Sequence, residues 1–555
     1  MPSRYNLLHE AWIPVALSDG RRVFVRPCDI SELYDGRPIV RVATGRPDCD
    51  ISLTEFLIGI LAVTIGPEST KDWHKRYRKP PARDDLERAF AQLEPAMMLN
   101  GPGPRFFQDI EHLEGATTEI AALFMDVPAA HFVKPGRTGV LSRAGAAIAL
   151  ATLQTSAPAG GAGHRTSLRG GGPLSTLVVP GTVDAREPTL WQRLWANVPS
   201  GVASITVATP AVFPWLGPTR VSDKSGAATT PADVAPAQAF FGLPRRIRME
   251  FVDNADGRAC DLLGIVDEIV TTGYVTRPWG TNYTGWSRGH PLSPYYRQKE
   301  SDGEFLPLHM RSSRVGYRQW LGMSLEGQSG LRVPARCVDE FRRRAEDFEG
   351  EEAVIRHEAL LLVAGYAMDN MKPLDFGEAL LPLIVTGSKD GDEIVRDRAQ
   401  QWIAAAELVA SQLVSSVKRS LYGQRGNADP GSTVLDPVRD RFWGETEQAF
   451  YGELRILADI VEQRRDNLVE HVDGLRIASG ERWRTALHIA ALRIFDATVS
   501  IEDVESHRIA DVIEGRTNLL RSLTGFGPVG AKVFEALALP AAEPKKRATR
   551  KGKAA

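Results

Sequence analysis

At 555 residues the chain is long enough for two or more domains, and its 43% hydrophobic and 25% charged residues are the proportions of an ordinary globular protein. Lys and Arg number 67 against 69 Asp and Glu, so the net charge of -2 excludes a general attraction to nucleic acid and leaves only local basic patches. Cys28, Cys49, Cys260 and Cys337 lie far apart without a Cys-x-x-Cys pair, so neither a zinc site nor a disulfide framework is expected; with no signal peptide and no apolar run of membrane-spanning length, the expectation is a cytoplasmic protein.

In chain order, Asn6 to Val15 and Arg22 to Val25 predict short strands joined by a turn at Ser18 to Gly20. Ser52-Leu53-Thr54-Glu55 offers a capping box ahead of Phe56 to Leu61, which predicts a buried helix. Between Lys71 and Arg83, six basic residues interleave with Trp73, His74 and Tyr77. Such a mixture can grip a nucleic-acid backbone, but with Pro80-Pro81 behind it the reading favoured is the solvated end of a helix with Trp73 in the core. His131 to Gly139, with Pro135-Gly136 at its centre, predicts an exposed loop, and Ala144 to Leu153 a helix.

The stretch from Ala157 to Pro173 is the feature around which the rest is arranged: six of its seventeen residues are glycine. Glycine admits positive φ and close approach of another backbone, so the stretch predicts a surface where main chain meets a partner; His164, Arg165 and Arg169 beside it suggest an anionic one. Composition alone leaves a flexible connection equally open. No Gly-Lys-Ser/Thr ending and no Gly-x-Gly-x-x-Gly opening a helix is present, so no nucleotide cofactor is expected.

From Leu174 to Leu331 short apolar runs, including Ser175 to Val179 and Ala203 to Val207, predict mixed β structure. Tyr295 to Gln298 and Glu304 to Leu306 flank Asp302-Gly303 as a hairpin with Lys299 near its tip; on composition, a tip lysine is ordinarily a solvated charge. Beyond Gly377 the period becomes helical. Val395, Ala399, Trp402, Ala406, Val409, Leu413, Val417 and Leu421 make one stripe, and similar patterns follow over Val438 to Val461, Trp483 to Val499 and Ile509 to Leu539. The fold class is therefore α+β: a large irregular mixed α/β domain over residues 1–376, a four-helix bundle over 377–540 and a disordered basic tail over 541–555.

Gly285-Trp286-Ser287-Arg288-Gly289 matches the nucleophile elbow of serine hydrolases, which needs a following helix to stabilise an oxyanion; Pro291 and Pro294 follow instead. The eleven histidines assemble no metal motif, so no metal and no catalytic residue is expected and the chain reads as one that binds.

Together these stretches resemble the CasA family, the Cse-type large subunit of the type I-E CRISPR surveillance complex, Cascade. The resemblance is carried by Asn6 to Val15, Phe106-Phe107-Gln108, Phe132-Val133, Ser167 to Pro173 and Gly365-Tyr366 before a bundle. It implies a subunit without catalysis that works in antiviral defence. Such a subunit recognises the protospacer-adjacent motif (PAM) on double-stranded DNA, begins strand separation and recruits a helicase-nuclease. The partners implied are the guide RNA, target DNA, the subunits CasB, CasC, CasD and CasE, and the helicase-nuclease, with no membrane. The resemblance further implies that Gly160, Gly161, Ala162 and Gly163 enter the minor groove and that Lys299 reaches it from a hairpin. It places Asp369, Asn370 and Met371 as a wedge at the base of the bundle, and Phe132, Val133 and Lys134 at the 5' end of the guide. Ala159 and Ala162 interrupt the glycine series, the wedge has no glutamine, and the cysteine cluster of some relatives is missing. The alternatives are a serine hydrolase using Ser287 and a purely structural scaffold.

Overall fold

In the computed structural model the chain divides into two units, residues 1–315 with 322–387, and residues 316–321 with 388–555. The structure describes residues 3–125, 138–161, 163–184, 186–223, 227–299, 303–311, 315–327, 330–423, 432–463, 468–500, 502 and 506–543. Phe132, Val133, Lys134, Ala162 and the basic tail from residue 544 lie outside them.

The first unit opens with β1 (Ile13–Leu17), β2 (Arg22–Val25) and β3 (Arg37–Val42), with β1 antiparallel to both others and Val15 opposite Val23. Helix α1 (Pro47–Ile65) begins earlier than the capping box suggested. Pro47 presets the first helical φ, and the carboxylate of Asp50 accepts the Thr44 amide at 2.6 Å, so Ser52 to Glu55 lie inside the helix. Leu53, Phe56, Leu57, Ile58, Ile60 and Leu61 are all buried, which makes α1 a core helix, and the polar groups it buries in its first half, Asp48 and Glu55, are paired. In α2 (Thr70–Arg78) Trp73, His74 and Tyr77 face inward, with Trp73 stacked on Tyr77 at 5.0 Å and its indole donating to the Trp195 carbonyl. The aromatics of the basic segment are therefore core. Ala203 to Val207 is not a strand; Val207 is exposed and the Ile205 amide makes a single bond to the Val63 carbonyl.

Helix α3 (Arg143–Ser156) leads into the glycine stretch, which ends at β4 (Ser175–Val179). Next come the long hairpin β5 (Arg246–Asp253) and β6 (Ile269–Arg277), the short one β7 (Tyr295–Tyr296) and β8 (Leu306–Pro307), and the pair β9 (Leu360–Asp369) and β10 (Lys372–Pro382). The sheet order β10-β9-β4 sets β4 against β9, with Ser175 opposite Ala364 and Val179 opposite Leu360. Residues 377–382, assigned to the bundle by helical period, belong to β10: Leu381 faces the core from a strand paired along β9, and the alternation is that of a sheet edge.

In the second unit α4 (Lys389–Tyr422) is capped by Ser388, whose hydroxyl accepts the Gly391 amide at 3.2 Å. The predicted stripe from Val395 to Val417 is buried throughout, and Leu421 is half-buried at the helix end. Helices α5 (Ser432–Gln463), α6 (Leu468–Thr498) and α7 (Ile509–Leu523) complete the bundle. Gly525 and Gly527, at φ +84° and +78°, break the last predicted helix into α7 and a short α8 (Gly527–Ala536). Trp402, Phe450 and Trp483 form the bundle's aromatic centre, and Tyr317 from the 316–321 segment stacks on Phe450 at 4.5 Å. That segment lies sixty residues and more before α4, so no local pattern could have assigned it to the bundle.

Candidate nucleic-acid interface

The glycine stretch is a closed loop. The Ser167 amide donates to the Ala157 carbonyl at 2.9 Å and the Gly172 amide to that of Ser156 at 3.0 Å, bringing both ends back to the end of α3. Within it the His164 amide donates to the Gly161 carbonyl at 2.8 Å, which turns the chain so that Gly160 and Gly161 are exposed at the tip. Gly163 anchors the far side: at φ +84° its carbonyl accepts the Trp279 amide at 2.8 Å, and an added Cβ would sit 2.6 Å from the Trp279 ring. These contacts correct the open, flexible reading, because the glycines are used in two defined ways, for exposure at the tip and for close approach at the anchor.

The three polar heads do not share one role. Arg169 is buried and forms a bidentate pair with Glu55 of α1, at 3.2 and 2.6 Å, while also donating to the hydroxyls of Ser175 and Ser293. It is a strut between the loop and α1, not a head for an outside anion. Arg165 donates to the Ser222 hydroxyl at 2.7 Å and lies over the Trp279 ring, 5.3 Å from its centroid. Burial, and next the charge of Arg245, hold the His164 imidazole below its ordinary pKa, so it is neutral at pH 7.

Asp369, Asn370 and Met371 occupy the tip of the β9–β10 hairpin. Asp369 pairs with Lys372, which leaves Asn370 and Met371 as the connecting residues; Asn370 takes φ +52°, a left-handed conformation asparagine tolerates, and Met371 is 52% exposed. The tip end of this hairpin packs against the glycine loop. Gly172, at φ +62°, leaves no room for a Cβ against Tyr366 and Met368 of β9, and the Tyr366 hydroxyl donates to Asp48 at 2.5 Å.

Lys299 is exposed in the β7–β8 connection. The pairing of Tyr296 with Leu306 bears out the expected strands on either side of the connection, and Lys299 lies on its outgoing side; Asp302 of the expected turn pair lies outside the described residues. Phe305 is covered by the guanidinium groups of Arg297 and Arg288, at 5.1 and 5.4 Å, which stiffens the loop's return side. The chain after β8 then touches both other pieces: Pro173 bridges His309, the Leu174 amide donates to the Leu308 carbonyl at 3.1 Å, and Met310 bridges Ala367 of β9. Glycine loop, hairpin tip and lysine loop are thus carried by three adjoining backbone segments of the first unit.

Ser287 lies in a turn between residues 283 and 295 with no helix after it, and its hydroxyl accepts the Phe305 amide at 2.9 Å. Among the described residues no histidine bonds it. All four cysteines are free and buried, no described group of three His, Cys, Asp or Glu could hold a metal, and no described helix is long and apolar enough to cross a membrane. Sequence reasoning passed over Trp279 and Arg245. Both are set beside the glycine loop from segments more than eighty residues away, and nothing in their local sequence marks them.

Comparison with known proteins bears on the fold and the family. Thermus thermophilus CasA (Cse1) superposes with a TM-score of 0.66 at 19% identity over 94% of this chain and 100% of that one. Cse1 from Acidimicrobium ferrooxidans gives 0.68 at 18% identity over 97% and 99%, and a chain of a CRISPR RNA-guided surveillance complex 0.65 at 16% over 94% and 100%. At these identities the likeness is one of fold. The family profile for CRISPR-associated protein Cse1 matches residues 6–494, and on that match the chain belongs to the Cse1 family.

Proposed function

We propose that the protein is the large subunit of a CRISPR RNA-guided surveillance complex and that it recognises a PAM on double-stranded DNA through the minor groove. The observation that carries the reading is the adjacency just described: an exposed glycine tip, an exposed lysine and a projecting hairpin tip, joined by backbone bridges in one unit of a Cse1-family chain. A narrow minor groove admits bare backbone more readily than bulky side chains and presents mainly acceptors, so the exposed backbone at Gly160 and Gly161, where the Gly160 amide is held by the His164 carbonyl at 3.3 Å, suits it by shape while the Lys299 ammonium supplies a donor, a combination that reads it with low stringency. The reading extends to Ala162, which lies outside the described residues, while Gly163 serves it as the anchor that holds the tip in place. Asp369, Asn370 and Met371 act as the wedge: Met371 supplies the apolar surface that unstacks a base step, at a cost of about a few kcal/mol offset by neighbouring contacts and guide pairing.

In this reading Phe132, Val133 and Lys134 meet the guide RNA, the chain assembles with CasB, CasC, CasD and CasE, and the opened target is handed to a helicase-nuclease. The protein's own part is recognition, with no catalytic step. The test adds the purified chain to a guide-RNA complex assembled without it and follows target binding across a randomised PAM library, with Lys299→Ala and Asn370→Ala alongside. The expected result is PAM-dependent binding that requires the chain and weakens in both variants. Binding indifferent to the chain would reject the proposal.

A further inference from the structure

Beside the glycine tip a cleft of about 370 Å³ opens between β5, β6 and the loop, with Phe124, Met125, Leu153 and Ile247 as apolar walls and Arg245, His164 and Gly160 as its polar side. Arg245 is only 9% exposed. Its backbone is clamped by the side chain of Gln154 near the end of α3, which accepts the Arg245 amide at 3.0 Å and donates to its carbonyl at 2.9 Å. The guanidinium donates to the Pro158 carbonyl, yet among the described residues it has no acidic partner, and its Nε is buried without a hydrogen bond. Its neighbours differ: Arg246 pairs with Asp109 at 2.6 Å, and Arg248 donates to the Asp109 carbonyl.

A buried cation without a counter-ion is costly, and burial lowers Arg245 to about 10. The planar fork of a guanidinium matches a phosphate, and the cleft has room for one with its sugar. We propose that Arg245, with the His164 imidazole beside it, forms a pocket for one backbone phosphate of the DNA strand that passes the glycine tip. This rests on the reading of the chain as a DNA-binding subunit.

The test measures duplex binding to the assembled complex between 50 and 200 mM salt for wild type, Arg245→Gln and Arg245→Lys. Losing one phosphate contact lowers the slope of log K against log salt by about 0.9, so wild type loses about 3.5-fold more affinity over that range than Arg245→Gln, and Arg245→Lys recovers the difference. Because a purely structural arginine could change affinity through misfolding, a second measurement uses the full chain alone. Inorganic phosphate, but not chloride, raises the pKa of His164, read by histidine Cε1 NMR, in wild type and not in Arg245→Gln. Equal salt slopes in all three proteins overturn the proposal, and so does a phosphate response accompanied by equal slopes, which marks a site for free phosphate only. Absence of PAM discrimination in the wild-type complex, with the slope difference intact, would reject the functional reading and leave the phosphate pocket standing.

Discussion

Replacing Arg169 by methionine removes the strut between the glycine loop and α1. The side chain makes two hydrogen bonds to the Glu55 carboxylate and two more to the uncharged hydroxyls of Ser175 and Ser293, with the two ionic side chains only 3% and 5% exposed. The variant keeps most of the volume but leaves the Glu55 carboxylate without its cation, a loss of about 3–5 kcal/mol for one partner of a buried pair. Glu55→Met should cost a similar amount, since it strands the guanidinium. The double variant should recover most of it, because an apolar pair of matched volume has no desolvation to offset. Hydrogen exchange by mass spectrometry on peptides covering residues 47–65 and 175–179 reads the opening free energy where the pair sits. A loss of about 4 kcal/mol is roughly a thousand-fold faster exchange in each single variant. Single variants within tenfold of wild type, or a double variant no slower to exchange than the singles, would refute the argument that this pair holds the loop.

Gly163→Ala should destabilise the loop more than Gly161→Ala. Both glycines have positive φ, which costs an alanine about 1–2 kcal/mol, but only at Gly163 does the new Cβ meet the Trp279 ring at 2.6 Å. Proteolytic nicking within 157–173 measures the difference, and equal susceptibility of the two variants would refute it. Asp339 gives a pH prediction: burial pushes its carboxyl up to about 6 against the opposing charges of Arg342, Arg288 and Arg343. The folded state therefore binds the proton more tightly than the unfolded one, and this group's contribution to stability falls as pH rises from about 4 to 6. Asp339→Asn should be more stable than wild type at pH 7 by up to roughly 3 kcal/mol, with the gap closing toward pH 4 in urea titrations. A gap that does not change with pH would rule this out.

The periodic elements were legible in the sequence because their causes are local. The stripe from Val395 to Val417 and the α3 segment carry helical spacing, and the Ser18 to Gly20 turn carries its own chemistry, so no distant contact was needed to place them. The glycine density announced a loop with a special backbone, and the quoted motifs announced the family.

What the sequence could not assign are partnerships across long separations. Arg169 looked like a free cation until Glu55, 114 residues away, neutralised it; nothing local distinguishes Arg245 from Arg246, and only the fold gives Arg246 an acid while Arg245 has none among the described residues. The strand at residues 377–382 and the membership of Tyr317 in the bundle were likewise settled by pairing with distant segments. Charge and apolarity are written residue by residue, but whether a charge is spent inside the fold or held for a partner depends on which groups tertiary packing brings within a few ångströms of it.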